Sequence, residues 1–95
     1  MITSISISDL LKINNPEIID IRSNESYNNN HIPGAKNIST EKIILDPKKY
    51  LNFYTNYYFY CQKGISSQKL CQLLQRRGYK AISVIDGYES WVLRK

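Results

Sequence analysis

The stretch Tyr57-Tyr58-Phe59-Tyr60-Cys61-Gln62-Lys63-Gly64-Ile65-Ser66-Ser67 decides the fold. A dense aromatic run suits a buried strand. A cysteine follows at once, then a short loop with one glycine, then a helix predicted from Ser66 to Arg77. Cys61 therefore stands at the carboxyl end of a strand and faces the start of a helix. Gly64 lets the loop curl, because a residue without a Cβ takes positive φ freely. Successive backbone N–H groups then point at the sulfur, and such a nest, together with the helix dipole, favours an anion. A thiolate or persulfide at Cys61 is stabilised there and the thiol pKa is expected to fall. Lys63 adds positive charge at the rim. Ser66 and Ser67 are expected to cap the helix and to offer hydroxyls to bound anion oxygens.

Outward from this stretch the elements alternate. Ile2 to Ile5 reads as a short strand, and Ser6-Ile7-Ser8-Asp9 as a helix start with Leu10, Leu11 and Ile13 as its buried face. Glu17 to Arg22 reads as a strand with Ile18, Ile19 and Ile21 inside. The polar tract from Ser23 to His31, with its three consecutive Asn, reads as a turn or helix end. His31 to Ala35 is turn-rich and leads to a short strand over Lys36 to Ile38. Thr40 to Leu45 reads as a short helix closed by Asp46-Pro47. In the predicted helix after Cys61, Leu70, Leu73 and Leu74 share a face and Gly78 stands at the C-terminal cap. Ala81 to Ile85 is a last strand, Asp86-Gly87 turns, and Tyr88 to Leu93 is a final helix. Alternating strands and helices with short links imply an α/β fold: a central parallel sheet of about five strands with helices on both faces. In such sheets the ligand site lies beyond the carboxyl ends of the strands.

Composition bounds the alternatives. The chain has 95 residues, the size of a single domain over 1–95. Hydrophobic residues make up 42% and charged residues 22%, near globular averages, so disorder is not the ground state. One His and two Cys, scattered, cannot build a tetrahedral structural zinc site without carboxylates and are too few for a disulfide scaffold, so no metal is expected. No signal peptide is visible at Met1-Ile2-Thr3-Ser4, and no apolar run is long enough to span a bilayer. The expectation is a cytoplasmic, monomeric protein with reduced thiols and no membrane partner. The net charge of +5 favours anionic partners. Nucleic acid is not expected, because the Tyr57–Tyr60 cluster lies in a buried strand and offers no stacking platform.

At this point the motifs, taken together, resemble those of single-domain rhodaneses, the sulfurtransferase family. Ile18-Ile19-Asp20-Ile21-Arg22 resembles the family's hydrophobic-Asp-Val-Arg strand. Glu25-Ser26-Tyr27 followed by His31-Ile32-Pro33-Gly34-Ala35-Lys36-Asn37-Ile38 resembles its Gly-His-Ile-Pro-Gly-Ala passage. Tyr60 to Ser67 resembles the active-site loop, and Gly78-Tyr79 with Gly87-Tyr88-Glu89-Ser90-Trp91 the closing motif. Two departures stand out. Asn30 replaces the usual Gly before the His, a substitution the left-handed tolerance of Asn would absorb. The link at Asp86-Gly87 lacks one Gly of the usual pair.

The resemblance implies a rhodanese-like fold and a two-step transfer. Cys61 takes a sulfane sulfur from thiosulfate or another persulfide donor. A thiol or cyanide acceptor then removes it, with a thioredoxin-like protein as one implied thiol partner. Gln62, Lys63, Gly64, Ile65, Ser66 and Ser67 are the implied substrate-binding loop, and Asp20 and Arg22 the supporting residues. No cofactor is implied. The alternative is a persulfide carrier or thiol-redox module that docks on another protein without turnover. Phosphatases and arsenate reductases on this fold carry Cys-x5-Arg, whose Arg clamps the oxyanion. Here that position is Ser67, and the Cys61–Ser66 loop holds no Arg. An isolated Cys at a strand end is often only a small buried hydrophobe; the glycine loop and Ser-Ser beside it argue otherwise for Cys61. Cys71, mid-helix between leucines, reads as packing. Arg22 with Glu25 reads as an ion pair fixing the turn, and His31 and Trp91 as structural residues.

Overall fold

Residues 3–94 are described by the computed structural model, and their apolar residues sort onto two faces of one sheet. The elements are β1 (Ser4–Ile5), α1 (Ile7–Leu10), β2 (Glu17–Asp20), α2 (Asn24–Asn29), β3 (Lys36–Asn37), α3 (Thr40–Leu45), α4 (Pro47–Tyr50), β4 (Asn56–Tyr60), α5 (Ile65–Arg76), β5 (Lys80–Val84) and α6 (Gly87–Leu93). The five strands run parallel in the order β1-β5-β4-β2-β3. The expected α/β sheet is thus present, with β4 at its centre and the Cys61 loop leaving its carboxyl end.

Side chains alternate across a strand, and both faces of β4 are apolar. Tyr57 and Phe59 pack with Ile43 of α3 and Leu70, Cys71 and Leu74 of α5. Tyr58 and Tyr60 pack on the opposite face with Leu10 of α1, Ile82 and Val84 of β5, and the partly buried Tyr27, Tyr88 and Trp91 of α2 and α6. Helices therefore cover both faces. Parallel pairing aligns Asp20 of β2 with Tyr60 of β4. Both side chains leave the same face, and the Tyr60 hydroxyl donates to Asp20 at 2.5 Å.

Several expectations change. Of the first predicted strand, Ile2 lies outside the described residues and Ser4–Ile5 is the observed part. Ser6 caps α1 as expected, accepting from the Asp9 N–H at 3.1 Å. That helix is a single turn, however, and Leu11, expected inside, is 50% exposed just beyond it. β2 ends at Asp20, two residues before the predicted limit. Asp46-Pro47 closes α3 at Leu45 as expected, with Asp46 its C-cap, and it also starts the unforeseen α4, with Pro47 at its first position, where the missing N–H costs nothing. Asn30 needs no left-handed tolerance: its φ of −169° is extended backbone open to any residue.

Candidate functional site: the Cys61 loop

Cys61 follows the last residue of β4 and is buried, 7% exposed. α5 begins at Ile65, so the N–H groups of its first turn have no partner within the helix. The Cys61 sulfur supplies one: it accepts from the Gly64 N–H at 3.2 Å and the Ser67 N–H at 3.3 Å. Gly64, at φ +96°, makes the turn possible, and a Cβ there would stand 2.9 Å from the Asp86 nitrogen. The loop is thus pressed against the β5–α6 turn with no room for a side chain between them.

The Ser67 hydroxyl, fully buried, lies 3.5 Å from the sulfur, 3.3 Å from the Gly64 carbonyl and 3.0 Å from the Ser83 hydroxyl. A hydroxyl has one proton. The Ser67 hydroxyl donates to the Gly64 carbonyl while the protonated thiol donates to Ser67; with Ser83 donating to Ser67, the single Ser67 proton can turn from that carbonyl to an anionic sulfur. Burial alone pushes the Cys61 thiol up. Hydrogen bonds from the Ser67 hydroxyl and from the N–H groups of Ser67, Gly64 and Lys63 outweigh it, and the thiol lies below its ordinary value. Cys71 has no such donors. Burial, and secondarily the Cys61 charge, push its thiol up to about 12. The two cysteines separate as a thiol of lowered pKa and a packing residue, and both are free.

This separation is measurable. A lowered pKa keeps the thiolate populated as pH falls, and the thiolate is the species that alkylates. The midpoint of the iodoacetamide rate against pH is expected below that of an ordinary exposed cysteine measured alongside. Cys71 should stay unmodified in the folded protein. A midpoint at or above the ordinary value would contradict the donor geometry.

The other expected site residues divide. Gln62 and Lys63 are exposed on the loop. Lys63 borders a cleft of about 270 Å³ shared with Ser4, Gly64, Ile65, Gln68 and Asp86. Ile65 is 60% exposed at its lip. Ser66 stands apart from the others. It lines the separate groove between α3 and α5 and makes no hydrogen bond to the sulfur among the described residues. Neither Ser66 nor Ser67 caps α5: the cap residue is Gly64, without a side-chain bond. Ser67 acts on the sulfur instead.

Asp20 and Arg22 stand together, and neither makes a hydrogen bond to the sulfur among the described residues. Arg22 is paired with Asp20 at 2.8 Å, not with Glu25 as the sequence suggested. Its Nε and Nη2 both reach the carboxylate, and Nη2 also donates to the Asn30 carbonyl at 2.6 Å. Burial opposes the charge on Arg22, but the Asp20 bonds and charge raise its pKa overall. His31 stacks on Tyr27 at 3.9 Å and bonds its carbonyl, a structural position as expected. Sequence reasoning missed Ser83. The available signal was a lone polar residue inside the apolar run Ala81-Ile82-Ser83-Val84-Ile85. Among the described residues no cluster of three His, Cys, Asp or Glu side chains could hold a metal, and no helix is long and apolar enough to cross a membrane.

The profile of the rhodanese-like domain family matches residues 6–94. Thiosulfate sulfurtransferase GlpE of Coxiella burnetii is 34% identical over 84 residues, covering 87% of this chain and 78% of that protein. A rhodanese-like domain protein from Staphylococcus aureus superposes with a TM-score of 0.81 at 30% identity, over 95% of this chain and 91% of that one. The human single-domain sulfurtransferase TSTD1 reaches a TM-score of 0.85 over 100% and 99%; at 22% identity that likeness concerns the fold.

Proposed function

The chain belongs to the rhodanese-like domain family of sulfurtransferases, and from that premise we propose that it moves a sulfane sulfur through a Cys61 persulfide. The Cys61 thiolate attacks the outer sulfur of thiosulfate. A new S–S bond forms to Cys61, the sulfur–sulfur bond of thiosulfate breaks, and sulfite leaves with the electron pair. The acceptor, cyanide or a thiolate, then attacks the outer sulfur of the persulfide. Thiocyanate or an acceptor persulfide departs, and the Cys61 thiolate returns. No net oxidant enters either displacement, and the cycle is ping-pong.

The observation that carries the reading is the Cys61 sulfur held at 3.2 and 3.3 Å from two backbone N–H donors with the Ser67 hydroxyl beside it. Preorganised donors around a sulfur stabilise a thiolate and a persulfide alike. The exposed Lys63 ammonium at the rim suits an anionic donor. The acceptor in this reading is a small thiol or a thioredoxin-like protein, met in the cytoplasm by a monomer.

Incubation with thiosulfate should add one sulfur, about 32 Da, to Cys61 and none to Cys71. Absence of the adduct, or its appearance on Cys71, would overturn the reading. Turnover with cyanide then separates an enzyme from a carrier, since a carrier would keep the adduct.

A further inference from the structure

The Cys61 loop is held from two sides. On one, its N–H groups meet the sulfur. On the other, its carbonyls are fixed by the first turn of α6. The Tyr88 N–H donates to the Cys61 carbonyl at 2.8 Å, and the Glu89 N–H donates to that of Gln62 at 3.1 Å. α6 has seven residues, too few to be stable as a helix on its own. The turn entering it carries both Asp86 and Gly87 at positive φ. Tertiary contacts must set where this first turn sits.

The Tyr88 ring supplies one. It lies against the Arg22 guanidinium, 3.9 Å from its carbon, and stacks 6.3 Å from the Tyr60 ring. Arg22 cannot swing away. Its edge is bound to Asp20 and to the Asn30 carbonyl, and its side chain is 7% exposed. Tyr60 is equally fixed. Its hydroxyl donates to Asp20 and accepts from the Ile32 N–H at 3.1 Å, and it directly precedes Cys61. Arg22 thus stands on a rigid base of buried, paired groups and presents its flat face to Tyr88. A guanidinium does this where an ammonium does not.

We infer that Arg22 and Tyr88 are positioning residues for the Cys61 nucleophile. Their stack fixes the first turn of α6, that turn fixes the Cys61 and Gln62 peptide planes, and those planes aim the Gly64 and Ser67 N–H groups at the sulfur. This deepens the sulfur-transfer reading, whose nucleophile it orients. It also gives Arg22 a role other than gripping the donor.

The test uses the full chain with Tyr88→Phe, Tyr88→Leu and Arg22→Lys. Two quantities are read: the pH midpoint of Cys61 alkylation by iodoacetamide, and kcat for thiosulfate:cyanide transfer. Tyr88→Phe keeps the ring and should match the wild type in both. Tyr88→Leu fills similar space without an aromatic face, and Arg22→Lys keeps the charge without the planar face. Each should raise the midpoint by about one pH unit, a tenfold loss of thiolate at fixed lower pH, and lower kcat with it. A wild-type midpoint in folded Tyr88→Leu or Arg22→Lys overturns the inference, as does a shift in Tyr88→Phe. A variant with lower melting temperature and an unmoved midpoint counts against it too, since stability alone does not aim a donor. Should Tyr88→Leu not fold, Arg22→Lys decides. A wild-type protein that takes no sulfur from thiosulfate would refute the transfer reading, while the alkylation midpoints would still judge the stack.

Discussion

Cys61→Ser is expected to lower thiosulfate:cyanide transfer by at least about a thousandfold, the scale on which loss of a covalent nucleophile acts. The substitution is nearly isosteric, so the fold should survive it. Gly64 and Ser67 N–H groups would find a hydroxyl oxygen near where the sulfur stood. What disappears is the chemistry. A serine hydroxyl is not ionised near neutral pH, the donors of this loop cannot bring it there, and it forms no persulfide. Cys71→Ala provides the contrast. Cys71 is 1% exposed in the core beneath α5, so its removal should cost stability and leave the chemistry in place. Assaying both variants with melting curves separates the two effects. Substantial activity in a folded Cys61→Ser protein, with no sulfur adduct, would remove Cys61 from the centre of the reaction.

The order of the strands, the central position of the aromatic strand and the glycine loop after Cys61 were all legible in the sequence, whereas the helices α2 (Asn24–Asn29), read as a turn or helix end, and α4 (Pro47–Tyr50) were not. The legible features depend on local patterns: apolar runs, helix starts and a residue without a Cβ. What escaped depends on orientation and on contacts between distant segments. Ser66 and Ser67 are adjacent and chemically identical, yet one residue along a helix turns a side chain by about 100°. With α5 starting at Ile65, Ser67 meets the sulfur and Ser66 faces the α3–α5 groove. Asp46-Pro47 reads equally as the end of one helix and the start of another, because proline breaks a helix interior but suits its first turn. Arg22 had two carboxylates within three residues. The strand register, which lines Asp20 up with Tyr60, makes Asp20 the partner, and Glu25 lies on α2. Ser83 gains its meaning only because β5 lies beside β4 and under the first turn of α5.

Gly87→Ala should disable the site from outside the loop. Gly87 has a φ of +57°, a conformation that costs an ordinary residue on the order of 1 kcal/mol. Strain is the smaller part. A Cβ there would run into the Cys61 carbonyl oxygen and lie 2.9 Å from the Gly64 nitrogen and 3.0 Å from the Gln62 carbonyl carbon. All three obstacles are backbone atoms of the Cys61 loop, so no flexible side chain can yield. Either the loop moves or α6 does, and in both cases the Tyr88 and Glu89 bonds to the loop carbonyls are lost or bent. The Gly64 nitrogen is the group that donates to the sulfur, so the collision falls on the thiolate's own donor. A displacement near 1 Å at a reacting centre costs about a hundredfold in rate, and kcat/KM should fall by at least that much. Stability should drop as well, by about 2–4 kcal/mol, read as a lower melting temperature. Gly34→Ala calibrates the result: Gly34 also sits at positive φ, +86°, but a Cβ there meets nothing within 4 Å. It should lose a little stability and keep its transfer rate. Equal rates for Gly87→Ala and Gly34→Ala would mean that the close contact between α6 and the Cys61 loop is not needed for the chemistry. A deficit confined to Gly87→Ala, with the alkylation midpoint raised, would trace the loss to the aim of the donors at Cys61.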